Sequence, residues 1–275
     1  MTLSGADIAQ LLAAHGLRPR RALGQNFVAD PNTVRRIARL AEVGPGSRVL
    51  EIGAGLGSLT LALAETGATV VAVETDRHLL PVLREVTGPA GPGVEVLEGD
   101  AMTLDLADVL ASRGGGSWSL VANLPYGIAT PLVLRTLVEA PAVARLLVMV
   151  QREVGERMAA VPGEAAYGSV SVRIAYFAEA KVVGRVSASV FIPRPRVESV
   201  LVRIDRRARP AVDPEVVSYD RLAAVVRAGF AQRRKMLRRS LAGIVALEAF
   251  ERAGVRPDAR AEELDVAAWG RLATP

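Results

Sequence analysis

Near the middle of the chain an apolar run ends at Ala122 and delivers Asn123-Leu124-Pro125-Tyr126, four residues whose types suit one kind of reaction. An aromatic amine is a poor nucleophile because its lone pair is delocalised into the ring. Two acceptors drawing on its N–H bonds, the Asn123 side-chain oxygen and the Leu124 carbonyl, favour a pyramidal nitrogen whose lone pair is aimed at an incoming methyl group. Pro125 fixes its own φ and biases Leu124 toward extended backbone, which holds that carbonyl in place. Tyr126 can stack on an extruded base. Alkyl transfer to a neutral amine depends on alignment more than on a strong base, so no histidine or nucleophile is required. Read alone, the four residues support transfer to some planar amine, including one in DNA.

A second group of residues describes what would sit opposite the amine. Glu51-Ile52-Gly53-Ala54-Gly55-Leu56-Gly57 joins an apolar run to a helical pattern, so the glycines occupy a strand-to-helix turn that a ligand can approach closely. Their spacing is G-x-G-x-G, whereas a dinucleotide fingerprint has G-x-G-x-x-G. The acidic Glu51 suits a cationic cofactor better than a diphosphate, and S-adenosylmethionine carries an ammonium and a sulfonium. Glu74, 21 residues after Gly53, ends the next apolar run, where a carboxylate can accept from both ribose hydroxyls. Asp100 ends a third run, within reach of an adenine amine. Each residue alone reads as a solvated strand end, but three successive strand ends carrying suitable groups point to one ligand.

The elements that must position these groups are short β-branched strands alternating with helices. Arg48–Ile52, Thr69–Glu74, Val94–Glu98, Ser119–Ala122 and Leu146–Val150 read as strands, with helices around Ser58–Glu65, Arg77–Val86 and Pro131–Glu139. Continuous Val/Leu/Ile runs separated by helices predict a mostly parallel α/β sheet buried on both faces, whose carboxyl edge is the place for a ligand. Beyond Gln151 the pattern predicts a helix over Glu153–Ala160 and β-rich stretches at Ser169–Phe177, Lys181–Val186 and Ser199–Ile204. Past the polar break Arg206–Pro210 it turns helical, with Leu222, Val225 and Val226 at helical spacing. The expected division is therefore a catalytic domain over residues 1–205 and a small helical domain over 206–275.

Bulk composition narrows the setting. The 275 residues are 50% hydrophobic and 23% charged, an ordinary globular mixture with room for a sizeable core. Lys and Arg number 34 against 29 Asp and Glu, a net charge of +5 that favours an anionic partner. The absence of cysteine excludes disulfides and thiolate metal sites. No basic, apolar leader and no run of roughly 18 apolar residues is present, which predicts a cytoplasmic protein without a membrane span. His15 and His78, the only histidines, lack metal-site neighbours, so no metal is expected.

Together these residues resemble the small-subunit (16S) ribosomal RNA adenine dimethyltransferase family over most of the chain. Leu23-Gly24-Gln25-Asn26-Phe27, Gln151-Arg152-Glu153-Val154, Tyr167–Val172 and Phe191–Val200 are similar to further family motifs. The resemblance implies a Rossmann-like class I methyltransferase fold with a seven-stranded sheet, one strand antiparallel, and a small helical C-terminal domain. It implies N6,N6-dimethylation of two adjacent adenines near the 3′ end of that RNA, with S-adenosylmethionine as donor. Cofactor contacts would come from Asn26, the backbone near Val28, Gly53, Gly55, Glu74, Asp100, Ala101 and Asn123. Asn123, Leu124 and Tyr126 would handle the target adenine, and Phe191 would form the other face of an aromatic clamp. By itself Phe191 reads as core packing. Glu164-Ala165-Ala166 departs from the family, which often has a lysine there.

Between Arg221 and Leu247 lie seven basic residues and no acidic ones. Arg233, Arg234, Lys235, Arg238 and Arg239 are nearly consecutive and read as phosphate contacts on a helical segment, although a charge run on its own is a solvated face. Arg18, Arg20 and Arg21 form a second basic cluster beside Asn26. The expected partners are ribosomal RNA and the immature small subunit, met by a monomer. Two alternatives stay open: a large-subunit (23S) RNA adenine methyltransferase of the antibiotic-resistance type, and an assembly factor that binds RNA without catalysis.

Overall fold

The computed structural model describes residues 2–275. Among these, nine strands follow one another: β1 (Phe27–Val28), β2 (Arg48–Ile52), β3 (Thr69–Glu74), β4 (Val94–Glu98), β5 (Trp118–Asn123), β6 (Val143–Gln151), β7 (Ala178–Val186), β8 (Phe191–Ile192) and β9 (Ser199–Arg206). Strands β1 and β8 pair antiparallel, with Val28 opposite Phe191. The other seven form one sheet in the order β4-β3-β2-β5-β6-β9-β7. The ladders β2–β3, β2–β5, β3–β4 and β5–β6 are parallel. The chain steps outward from β2 to β4 and then returns to β5 on the other side of β2. That reversal opens a crevice at the carboxyl ends of β2 and β5, the usual ligand position in an open α/β sheet.

The central strands are buried on both faces because helices cover both sides, which is why their sequences are continuous rather than alternating in polarity. Val49, Val70, Val121 and Leu147 belong to one buried cluster with Val34, Ile37, Ala38 and Ala41. Those last four recur at helical spacing along Pro31–Ala41 and make its buried stripe. Asp30 starts that helix by accepting from the N–H groups of Asn32 and Thr33, with Pro31 at the first helical position. The sequence reading did not anticipate this helix, although both signals are present in it. Helices Ser58–Ala64, Leu80–Thr87 and Ala129–Glu139 link the sheet strands where helices were expected.

The chain divides into two compact units. One holds the described residues up to Gly155 together with Val182–Ile204, and the other holds Glu156–Lys181 together with Asp205–Pro275. The second unit has its own core, in which Tyr167, Val172, Tyr176, Leu222, Val225, Val226, Phe250 and Trp269 are buried. Gly229 allows the close approach there: a Cβ on it would lie 2.4 Å from the Trp269 ring.

One expected strand is a helix. Ser169–Phe177 alternates Ser and Val and was expected to extend the sheet, yet it forms an α-helix. Helical spacing places Val172 and Tyr176 on one side, where both enter the core of the second unit. The Ser171 hydroxyl accepts from the Gly168 N–H at 3.1 Å and donates to the Arg157 carbonyl at 2.5 Å, capping the first turn. Burial of these side chains outweighs the β preference of Val170 and Val172.

Candidate active site

The carboxyl ends of β2, β3, β4 and β5 meet at one cavity, whose lining includes Asn26, Val28, Gly53, Gly55, Glu74, Asp100, Ala101 and Asn123. Every residue singled out for the cofactor is therefore gathered on one lining, although Asn26 lies 97 residues from Asn123 in the chain. Gly53, Gly55 and Gly57 have φ of 73°, 60° and 89°, a left-handed conformation that suits glycine and turns β2 sharply into the following helix. A Cβ on Gly55 would lie 3.1 Å from the Phe27 ring, so the glycine also makes room for the N-terminal segment to lie across the turn.

That segment, Arg20 to Val28, is tied down at three points. The Asn123 Nδ2 group donates to the Asn26 carbonyl at 3.0 Å, which leaves the Asn123 Oδ1 atom as the free acceptor. Gly24 lies against Pro125, where an added Cβ would come within 3.3 Å of the proline Cβ. Gln25 accepts from the Arg20 N–H and donates to the Asp76 carboxylate, both at 2.8 Å. Asp76 is buried, takes the His78 N–H at 3.1 Å and lies 3.5 Å from the Arg20 guanidinium.

The acidic groups are held differently from one another. Glu74 is 5% exposed; its Oε2 accepts from the Gly55 N–H at 2.7 Å and its Oε1 from the N–H groups of Thr75 and Asp76 at 2.9 and 2.8 Å. Burial raises its pKa, and the bonds from Asp76, Gly55 and Thr75 oppose the rise. Asp100 is exposed and accepts the Met102 N–H through Oδ1 at 2.8 Å. Glu51 is buried, lines the cavity, and its Oε2 has no hydrogen-bond partner; the same holds for the buried Ser58 Oγ beside it. A buried polar atom without a partner is costly, and a ligand ammonium against Glu51 would relieve that cost. The residues present thus fit a donor that is cationic at one end and a nucleoside at the other.

The residues expected at the target base are less tightly grouped. Asn123 and Pro125 line the cavity. Leu124 has a buried side chain, and its N–H donates to the Met149 carbonyl at 3.1 Å, which pins the peptide immediately before the one that carries the Leu124 carbonyl. Tyr126 is half-buried and does not line the cavity, and its hydroxyl sits 3.2 Å from the Ser199 Oγ, which braces the ring. Phe191 is placed differently from a ring offered to a base. It is 3% exposed and packed in the core cluster with Val28, Val34 and Leu201, because its strand pairs with β1.

Sequence reasoning assigned no role to Gln25, Asp76 or Arg135. Asp76 follows Glu74 at a strand end, which is a usable signal. Arg135, a lone cation within the apolar face of Ala129–Glu139, donates to the carbonyls of Ala101 and Leu104 at 2.6 and 2.8 Å and holds the loop that carries Asp100.

In the second unit, Arg233 to Arg239 is not one helix: residues 232–235 form a turn, and a short helix spans Leu237–Ser240. Arg233 pairs with Glu262 at 2.6 Å and donates to the Ala165 carbonyl at 3.0 Å, so it serves internal structure. Arg234, Lys235, Arg238 and Arg239 are exposed. No cluster of His, Cys, Asp or Glu suited to a metal is found among the described residues, and no helix there is long and apolar enough to cross a membrane.

Comparison with known proteins joins these observations. The family described as ribosomal RNA adenine dimethylase matches residues 16–274. The chain belongs to that family. A ribosomal RNA small subunit methyltransferase A from Cutibacterium acnes is 46% identical over 98% of this chain and 93% of its own length. The solved 23S rRNA methyltransferase ErmE is 28% identical, with a TM-score of 0.70 over 90% of this chain and 98% of that one. A dimethyladenosine transferase from Plasmodium falciparum, 23% identical, shares the fold with a TM-score of 0.74 over 88% of this chain and 94% of its own. Membership of the adenine dimethylase family makes S-adenosylmethionine the methyl donor.

Proposed function

We propose that this adenine dimethylase converts two adjacent adenines near the 3′ end of small-subunit ribosomal RNA to N6,N6-dimethyladenine during subunit maturation, in the cytoplasm. The observation that carries the chemistry is the Asn123 side chain, whose Nδ2 is spent on the Asn26 carbonyl, which leaves Oδ1 as its acceptor atom. Small-subunit RNA is favoured over large because the relative of that name is 46% identical whereas ErmE is 28% identical.

Bound S-adenosylmethionine supplies an electrophilic methyl group on a sulfonium. Asn123 Oδ1 and the Leu124 carbonyl accept the two N–H bonds of the adenine amine and turn its lone pair toward that methyl. The nitrogen would gain the methyl and the positive charge as the S–CH3 bond breaks and S-adenosylhomocysteine leaves, the proton would pass to water, and a second donor would supply the second methyl to the same base. Tyr126, braced by Ser199, supplies a stacking face for the extruded base. Phe191 supports the β1–β8 ladder from within the core. Arg234, Lys235, Arg238 and Arg239 offer four exposed cations for RNA phosphates.

Incubation with radiolabelled S-adenosylmethionine and immature small or large subunits, followed by mass-spectrometric mapping of the modified bases, tests the assignment. Two dimethylated adenines in small-subunit RNA are expected. Label confined to the large subunit, or no label, would overturn it.

A further inference from the structure

All the charged residues that line the cavity are acidic. Glu51 enters it from β2, Glu74 from the end of β3 and Asp100 from the loop after β4, while the N-terminal segment contributes the neutral amides of Gln25 and Asn26. No lysine, arginine or histidine is among its described lining residues. Of the three acids, Glu74 is satisfied by three backbone N–H groups and Asp100 is exposed and accepts one. Glu51 is fully enclosed, and its Oε2 lacks a partner, as does the hydroxyl of Ser58 on the following helix. A charged carboxylate in that position would be buried near the Glu74 carboxylate with no cation to stabilise it.

We propose that Glu51 carries a proton when no cation lies against it and releases that proton to solvent as the ammonium end of the methyl donor arrives, so that donor loading and proton release are one coupled step. This inference rests on the reading of the cavity as the donor site. The balance is simple: a carboxylic acid and an ammonium become a carboxylate–ammonium pair, and one proton passes to the buffer. The by-product S-adenosylhomocysteine keeps the ammonium and lacks the sulfonium, so it draws the same proton and isolates the contact made by the amino-acid end.

Burial pushes the Glu51 carboxyl up to about 8; the Thr60 side chain partly counteracts this and the Glu74 charge adds to it. An acid whose folded pKa is raised stabilises the fold below its unfolded value near 4.5, and that contribution is lost as pH rises through about 8. The ligand-free protein therefore loses stability across that window relative to Glu51→Gln, by at most about 1.4 kcal/mol per pH unit. Donor affinity has the opposite trend, because the binding form of Glu51 is the ionised one. Between pH 6 and 8 it should rise by roughly fifty-fold, the change in ionised fraction of a group titrating near 8.

Calorimetric titration of the intact protein with S-adenosylhomocysteine at pH 7, in phosphate and in Tris, counts the protons released. About 0.9 proton per site is expected from a group titrating near 8. An infrared difference spectrum on the wild-type protein should show loss of a protonated-carboxyl C=O band on ligand addition, and this measurement does not depend on any variant folding. Glu51→Gln should abolish both signals and flatten the pH dependence. If S-adenosylhomocysteine fails to bind at any pH, the donor reading of the cavity falls. If it binds without proton release, that reading stands and the coupling is refuted. Proton release that persists in Glu51→Gln would assign the proton to another group, such as Glu74, and overturn the role given to Glu51.

Discussion

Gln25 joins the N-terminal segment to the sheet, so its truncation should open the cofactor site without touching the cofactor's own partners. Gln25→Ala removes the bond to the Asp76 carboxylate and the one accepted from the Arg20 N–H, both 2.8 Å long. A bond to a charged group contributes about 1.5–3 kcal/mol and a neutral one about 0.5–1.5 kcal/mol. Asp76 keeps the His78 N–H at 3.1 Å and the Arg20 guanidinium at 3.5 Å, which places the net loss toward the lower end, about 2–3 kcal/mol. That corresponds to roughly a 30- to 150-fold shift toward an undocked segment. The segment carries Asn26 and Val28 into the cavity, so donor affinity should fall by about 10- to 100-fold, part of the shift being absorbed by the remaining bond from Asn123 to Asn26. Calorimetric titration with S-adenosylhomocysteine measures the affinity, and thermal unfolding separates local from global effects. The melting temperature should fall by at most about 4–12 °C, the limit reached if the whole loss is felt in global unfolding. An affinity within twofold of wild type would refute the argument that this latch closes the site.

Three further substitutions probe separate parts of the arrangement. Asn123→Asp keeps an acceptor but loses the donor that holds the Asn26 carbonyl; single-turnover methylation should slow by about 10²- to 10³-fold while S-adenosylhomocysteine affinity drops less than tenfold. Gly55→Ala forces alanine to φ 60° with its Cβ 3.1 Å from the Phe27 ring, and left-handed backbone alone costs about 1–2 kcal/mol. Its melting temperature should fall by roughly 2–6 °C, whereas Gly127→Ala, which meets open space, should leave it unchanged. Replacing Arg234, Lys235, Arg238 and Arg239 together by glutamine should weaken RNA binding and lower the slope of log affinity against log salt by up to about 3, measured by filter binding at several salt concentrations. Donor binding should be unaffected, since none of the four lines the cavity.

The sequence by itself determined the sheet strands β2 to β6 and the order of polar groups at their ends. A strand buried on both faces must be a short continuous apolar run, and the residue after it must leave the sheet, so Gly53, Glu74, Asp100 and Asn123 could be read as neighbours in space. Their chemistry follows from side-chain type alone. Tertiary structure decided what local pattern leaves ambiguous. Ser169–Phe177 alternates like a strand but folds as a helix, because Val172 and Tyr176 gain more from a shared core than their neighbours lose in β preference. Phe191 is buried by pairing with Val28, a partner 163 positions away that no local spacing announces. The Gln25–Asp76 contact spans 51 positions, and the unpartnered Oε2 of Glu51 follows from its burial in the assembled sheet. Hydrogen bonds and burial across such separations depend on how elements pack, and the sequence records the packed elements without recording which of their side chains meet.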